Sequence, residues 1–177
     1  VALACKKLQV KGKIFMPNTT PKQKIKKVKS FGKENVEVVL FGDTFDESYQ
    51  QAMLDVKESG KVFIHPFNDP KVIEGQATIG LEILEDSDKE IDYLFVAIGG
   101  GGLASGLVSY FKEVSPNTKI IGVEPLGASA MHDSIKAGKL VHLEKIDPFV
   151  DGAAVQKVGE LTFNICKDAL TDIVLVP

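Results

Sequence analysis

Tyr93-Leu94-Phe95-Val96-Ala97-Ile98-Gly99-Gly100-Gly101-Gly102-Leu103 is an apolar run that ends in four consecutive glycines. The run to Ile98 reads as a buried strand. Beyond the glycines, Leu103, Leu107, Tyr110, Phe111 and Val114 recur at helical spacing. Four glycines between a strand and a helix N-terminus make a place for a phosphate. The first-turn N–H groups lack partners, the helix dipole favours an anion, and the absence of Cβ atoms lets the backbone close around the oxygens. A flexible turn is the plainer alternative, but linkers are seldom pinned between a buried strand and an amphipathic helix.

The same alternation extends in both directions. Upstream, Val1 to Leu8 reads as a helix with Val1, Ala4, Cys5 and Leu8 on one stripe. Lys13 to Met16 is a strand. Thr20-Pro21-Lys22-Gln23 reads as a capping box with proline at the first helical position, opening a helix that buries Ile25, Val28 and Phe31 and ends at Gly32. Val36 to Phe41 is a strand. Thr44 and Glu47 form a second capping box, for a helix running to Gly60, and Val62 to Ile64 reads as a third strand. His65-Pro66-Phe67-Asn68-Asp69-Pro70 breaks the rhythm and marks a boundary between domains at 1–65 and 66–177. Asp69 caps the helix that Pro70 starts; its two apolar faces, Ile73, Ala77, Gly80, Leu81 and Leu84 against Val72, Ile79 and Ile83, predict burial on both sides. Downstream of the glycines come a strand at Lys119 to Glu124, a short helix at Ala130 to Ala137 and a weak strand at Leu140 to Leu143. A helix carrying Val155, Val158, Leu161, Thr162, Ile165, Cys166 and Ala169 and a last strand at Asp172 to Val176 follow. The alternation predicts an α/β fold with mostly parallel pairing.

Composition narrows the function. The 177 residues are 44% hydrophobic and 25% charged, ordinary for a soluble globular protein, and no apolar run is long enough to span a bilayer. Cys5 and Cys166 read as reduced packing residues of a cytoplasmic protein, and His65, His132 and His142 lack ligand spacing. Residues 1–33 hold ten lysines and no acid, while the rest holds eleven lysines against 24 acids. Every basic residue is lysine. A nucleic-acid reader employs arginine forks and stacking aromatics, so the lysines read as solvated helix faces and no nucleic-acid partner is expected.

Two phosphate ligands compete. Gly99, Gly101 and Ala104 satisfy G-x-G-x-x-G/A, and Glu124 ends the next strand where the ribose acid of a Rossmann dinucleotide module stands. No Gly-Lys-Ser/Thr follows the glycines, so a Walker loop is excluded. Ser105 is out of register for a nucleophile elbow and reads as a small residue in helix–sheet packing.

The second ligand is pyridoxal 5'-phosphate. Ile14-Phe15-Met16-Pro17 with Thr20-Pro21-Lys22-Gln23-Lys24, His65-Pro66-Phe67 with Ile73-Glu74-Gly75-Gln76, the four glycines with Leu103, Ile121-Gly122-Val123-Glu124-Pro125, and Val150-Asp151-Gly152-Ala153 stand in one order along the whole chain. In these blocks the chain resembles the threonine dehydratases (threonine deaminases), fold type II pyridoxal phosphate enzymes related to serine racemase. The resemblance implies two parallel-sheet α/β units, incomplete at both ends. It implies cofactor-phosphate binding by Gly99, Gly100, Gly101, Gly102 and Leu103 through backbone N–H groups, and it places Gly152 near the cofactor ring. It implies deamination of L-threonine to 2-oxobutanoate, in isoleucine biosynthesis or threonine catabolism, by a cytoplasmic homo-oligomer. Serine dehydration or racemisation on the same fold is the nearest alternative.

Departures from the family pattern set further expectations. The Schiff-base lysine of the family lies in a Ser-Phe-Lys-x-Arg-Gly segment; no such segment is present, and the sequence has no arginine. The chain therefore reads as the middle of the enzyme, without a catalytic residue of its own. Lys6, Lys7, Lys22, Lys24, Lys26, Lys27 and Lys29 read as surface residues, not substitutes. After the Glu-Pro pair, serine racemase has a cation site. Glu124 matches its acid, but Ala130 stands where a second acid is required, so no metal is expected.

Overall fold

The computed structural model describes residues 1–177, which divide into two compact units, Val1–Phe63 and Ile64–Pro177. In the first unit, helix α1 (Ala2–Leu8), strand β1 (Gly12–Met16), helix α2 (Lys22–Gly32), strand β2 (Val36–Leu40) and helix α3 (Phe45–Ser59) follow in order. The strands pair in parallel from Gly12 opposite Val36 to Met16 opposite Leu40, and α2 makes the crossover that parallel pairing requires.

Local chemistry explains where α3 begins. Thr44 Oγ1 accepts the Glu47 N–H at 3.2 Å, and Glu47 Oε2 accepts the N–H groups of Thr44 and Asp43 at 3.0 and 2.7 Å. Gly60, at φ +68°, ends the helix in the left-handed region. Thr44→Ala removes the acceptor and is expected to cost about 1 kcal/mol, read from urea unfolding; a change below about 0.3 kcal/mol is too small for a working cap.

Several expectations for this unit fail for physical reasons. Thr20 does not cap α2: its N–H bonds back to the Pro17 carbonyl at 3.1 Å, which holds it in a turn. Pro21 stands at the N-cap and offers no side-chain acceptor. Gly32 does not supply a positive φ; Lys33 does, at +47°, and Gly32 is small because a Cβ there would meet the Val36 side chain at 2.5 Å. Phe31 is half exposed, Val1 and Leu8 are more exposed still, and α1 buries Ala2 and Cys5 instead. Val62 to Ile64 pairs with no strand, and Val62 is 85% exposed. The unit is therefore α-β-α-β-α.

The second unit contains helix α4 (Pro70–Glu85), strand β3 (Tyr93–Ala97), helix α5 (Gly102–Val114), strand β4 (Lys119–Pro125), helix α6 (Ala130–Ala137), helix α7 (Glu160–Ala169) and strand β5 (Asp172–Val176). The strands form a parallel sheet in the order β3-β4-β5. Asp69 Oδ1 caps α4 through the Lys71 and Val72 N–H groups. α4 lies hard against α5: a Cβ on Gly106 would come within 2.7 Å of the Ile73 carbonyl and the Ala77 nitrogen. The core joins Val96, Ile98 and Ile120 of the sheet side with Leu107, Val108 and Phe111 of α5 and Phe163 and Cys166 of α7.

One face of this sheet carries the core, and the other is only partly covered: Ile121 is buried there. Tyr93 and Phe95 are exposed on that second face, so β3 is not the fully buried strand its composition predicts. Ile79 and Leu81 are exposed too, so α4 buries one face and not two. Val114 also lies outside the buried surface of α5. α7 starts at Glu160, leaving Val155 and Val158 in the approach to it, outside the helix. Leu140 to Leu143 forms no strand; the Val141 N–H bonds to Ser134 Oγ, and the Leu143 N–H to the Gln156 carbonyl. No helix is long and apolar enough to cross a membrane.

Candidate functional site

The glycine turn is held at the mouth of the sheet. The Ile98 N–H donates to the Val123 carbonyl at 2.9 Å, fixing the end of β3 against β4. Gly101 is the N-cap of α5, at φ +91° and ψ 0°, and Ser105 makes the first N–H bond back, to the Gly101 carbonyl at 2.8 Å. The N–H groups of Gly99, Gly100, Gly101, Gly102, Leu103 and Ala104 meet no acceptor in the chain. Six donors gathered at the positive end of a buried 13-residue helix suit the oxygens of a phosphate.

The structure gives the glycines a further reason. Their missing side chains make room for the protein itself. A Cβ on Gly99 would meet the Ala153 backbone at 3.1 Å and the Gly152 carbonyl at 3.2 Å. On Gly100 it would enter the Phe67 ring, and on Gly102 it would press the Phe67 Cα at 3.1 Å. On Gly101 it would meet Met131 Cε at 2.8 Å and Thr162 Cβ and Oγ1 at 2.9 Å. The turn is clamped from several sides, and a rigid loop keeps its donors aimed without an ordering cost on binding.

Each clamp has its own support. His65 Nδ1 accepts the N–H groups of Phe67 and Asn68, at 3.2 and 2.9 Å, so the ring is neutral at that nitrogen; burial holds its pKa below the usual histidine range. Asn68 Oδ1 accepts the Leu161 N–H at 2.9 Å, tying this segment to the start of α7. Thr162 Oγ1 lies 2.7 Å from the Gly100 carbonyl and 3.1 Å from that of Gly159. Ser105 is fully buried between α5 and α7, near the Thr162 carbonyl and Cys166 Sγ, so it serves helix–helix packing and not helix–sheet packing. Burial pushes the Cys166 thiol up to about 11, which makes it a packing group, and Cys5 is likewise free and buried.

Glu124 cannot be the ribose acid of a dinucleotide site. It is fully buried, and its two oxygens accept the Met131 N–H at 2.9 Å and the His132 N–H at 2.7 Å. The carboxylate caps α6, which sets Met131 beneath Gly101. No group of three His, Cys, Asp or Glu side chains is placed to hold a metal ion.

Gly152 lies beside Gly99, its carbonyl 3.2 Å from where a Gly99 Cβ would stand, while Phe67, Asn68, Met131 and Thr162 carry no site role in the sequence reading. Thr162 is visible there only as a polar residue on the apolar stripe of α7, the one signal that could have drawn attention to it.

The profile of the family described as pyridoxal-phosphate dependent enzyme matches residues 1–177. The biosynthetic L-threonine dehydratase IlvA of Halalkalibacterium halodurans is 59% identical, over 100% of this chain and 43% of that protein. Its counterpart in Bacillus subtilis is 52% identical, over 100% and 42%. Among solved structures, the processed form of threonine deaminase isoform 2 from Solanum lycopersicum is similar with a TM-score of 0.90 at 47% identity, over 99% of this chain and 50% of that one. Maize serine racemase gives 0.89 at 33%, over 99% and 52%. The chain thus spans less than half the length of these curated relatives.

Proposed function

We propose, from the premise that the chain belongs to the pyridoxal-phosphate dependent enzyme family, that it forms the phosphate-holding part of an L-threonine ammonia-lyase that converts L-threonine to 2-oxobutanoate and ammonia. The observation that carries this reading is the set of six unpartnered N–H groups from Gly99 to Ala104 at the start of α5. The 59% identity to a biosynthetic L-threonine dehydratase supports this reaction and a biosynthetic role.

The residues divide the work as follows. The N–H groups of Gly99, Gly100, Gly101, Gly102 and Leu103 bind the phosphate of pyridoxal 5'-phosphate, and the α5 dipole offsets its charge. Gly152, packed on Gly99, would lie near the cofactor ring. When bound, the cofactor supplies an electron sink that acidifies the substrate α-proton. None of the 21 lysines stands in the Ser-Phe-Lys-x-Arg-Gly context, so this chain binds and orients, and the proton is moved by a group outside these residues.

The test is direct. The full-length protein with pyridoxal 5'-phosphate is expected to release 2-oxobutanoate from L-threonine. Borohydride reduction and peptide mapping are expected to find no pyridoxyl group on any lysine of residues 1–177. Absence of 2-oxobutanoate removes the assigned reaction, and a modified lysine within the chain removes the division of labour. The likeness to maize serine racemase supports a second reading, action on L-serine, which the same assay with chiral analysis of recovered serine distinguishes.

A further inference from the structure

We infer that Thr162 is a positioning residue for the phosphate site: its hydroxyl sets the Gly100–Gly101 peptide so that the Gly101 N–H faces the ligand. The inference rests on the phosphate reading of the loop and adds a residue to it. In a trans peptide the carbonyl of one residue and the N–H of the next point in opposite directions. Thr162 Oγ1 has a single proton and two carbonyls in reach, that of Gly100 at 2.7 Å and that of Gly159 at 3.1 Å; the shorter contact takes it. The Gly159 N–H approaches the same Gly100 oxygen at 3.5 Å, a much weaker hold. With its carbonyl drawn toward α7, the peptide turns the Gly101 N–H away from α7, and that N–H meets no acceptor in the chain.

A peptide between two glycines needs such a fastener. Neither flanking residue carries a Cβ, so rotating the peptide plane costs little and would reverse donor and acceptor. A carbonyl turned toward a phosphate repels it. Thr162 is fully buried, and its Cβ also lies against Gly101, so the hydroxyl cannot swing elsewhere. Ser105 Oγ, 3.4 Å from the Thr162 carbonyl, steadies α7 from the other side.

The test compares 4-deoxypyridoxine phosphate with 4-deoxypyridoxine. The two differ only in the phosphate, and neither forms a bond to lysine. Equilibrium dialysis of the full chain gives the ratio of their affinities. Thr162→Val, of matching shape, is expected to lower that ratio about tenfold, while binding of unphosphorylated 4-deoxypyridoxine is unchanged and Thr162→Ser restores the ratio. A residue that merely supports the fold would weaken both ligands together. An unchanged ratio in Thr162→Val, or no recovery in Thr162→Ser, overturns the role of Thr162 while leaving the loop as the phosphate site. A wild-type chain that does not prefer the phosphorylated ligand overturns the phosphate reading itself. Should circular dichroism show that the valine variant is unfolded, Thr162→Ala removes the same donor and carries the same expectation.

Discussion

Gly101→Ala is expected to cost about 3 kcal/mol of stability and to abolish the preference of the loop for a phosphorylated ligand. Two penalties combine. At φ +91° an L-residue sets its Cβ against its own backbone, which costs about 1–2 kcal/mol. The added methyl also falls within 3 Å of Met131 Cε and of Thr162 Cβ and Oγ1, and overpacking of a filled site costs about 1–3 kcal/mol. The methionine can yield a little; the threonine, committed to the Gly100 carbonyl, cannot. Relief comes from moving the N-cap of α5, and that movement takes the donors out of alignment. Denaturant unfolding and the phosphorylated-to-unphosphorylated affinity ratio read the two effects separately. A variant within about 0.5 kcal/mol of wild type would show that the turn is not clamped.

Glu124→Ala is the second large effect, expected at about 3 kcal/mol. It strips the acceptors from the Met131 and His132 N–H groups at the buried start of α6, and leaves a cavity where the carboxylate stood. Glu124→Gln keeps one acceptor and is expected to recover much of the loss.

The same side chain ties stability to pH. Burial pushes the Glu124 carboxyl up to about 7 from an ordinary 4.5, against the pull of the Met131 and His132 N–H groups and the nearby His132; Asp133 pushes the same way as burial. The folded state therefore holds this proton more tightly than the unfolded state. Its contribution is fully present below about pH 4.5 and is lost as pH rises through about 7. The span is about 3 kcal/mol. In urea titrations at about pH 5 and about pH 8, the wild-type chain is expected to lose more stability across the interval than Glu124→Gln. Equal losses would mean that the carboxylate is ionised throughout.

Much of this was legible in the sequence because it depends on neighbours in the chain. Thr44 with Glu47, and Asp69 with Pro70, place two helix starts correctly, since a cap is a contact across three residues. The strands at β1 to β5 and their parallel pairing follow from apolar runs alternating with helical patterns. The failures lie where the deciding partner is distant. Val62 to Ile64 and Leu140 to Leu143 have strand-like composition, but a strand exists only if another offers its edge, and composition does not register that. Thr20 is captured by Pro17 before it can cap. Phe31 and Phe95 count as buried only if something covers them. At the site, the position of Gly99 to Leu103 between a strand and a helix N-terminus follows from the sequence. The clamps do not, because Phe67, Met131 and Thr162 come from three separate segments. Glu124 shows the same limit: a strand-ending acid looks the same whether it faces a ribose or a helix.

The β3-β4-β5 order has a bearing on how the chain is made. β4 lies in the middle, and its partner β5 follows only after α6, a long loop and α7. On the ribosome, β3, α5 and β4 emerge as a unit that can pair at once, while the second edge of β4 waits through the synthesis of everything between Pro125 and Asp172. During that interval Ile120 and Ile121 stand beside an open ladder, and the turn at Gly101 lacks Thr162. The glycine turn is thus translated early and acquires its rigidity late, when α7 arrives.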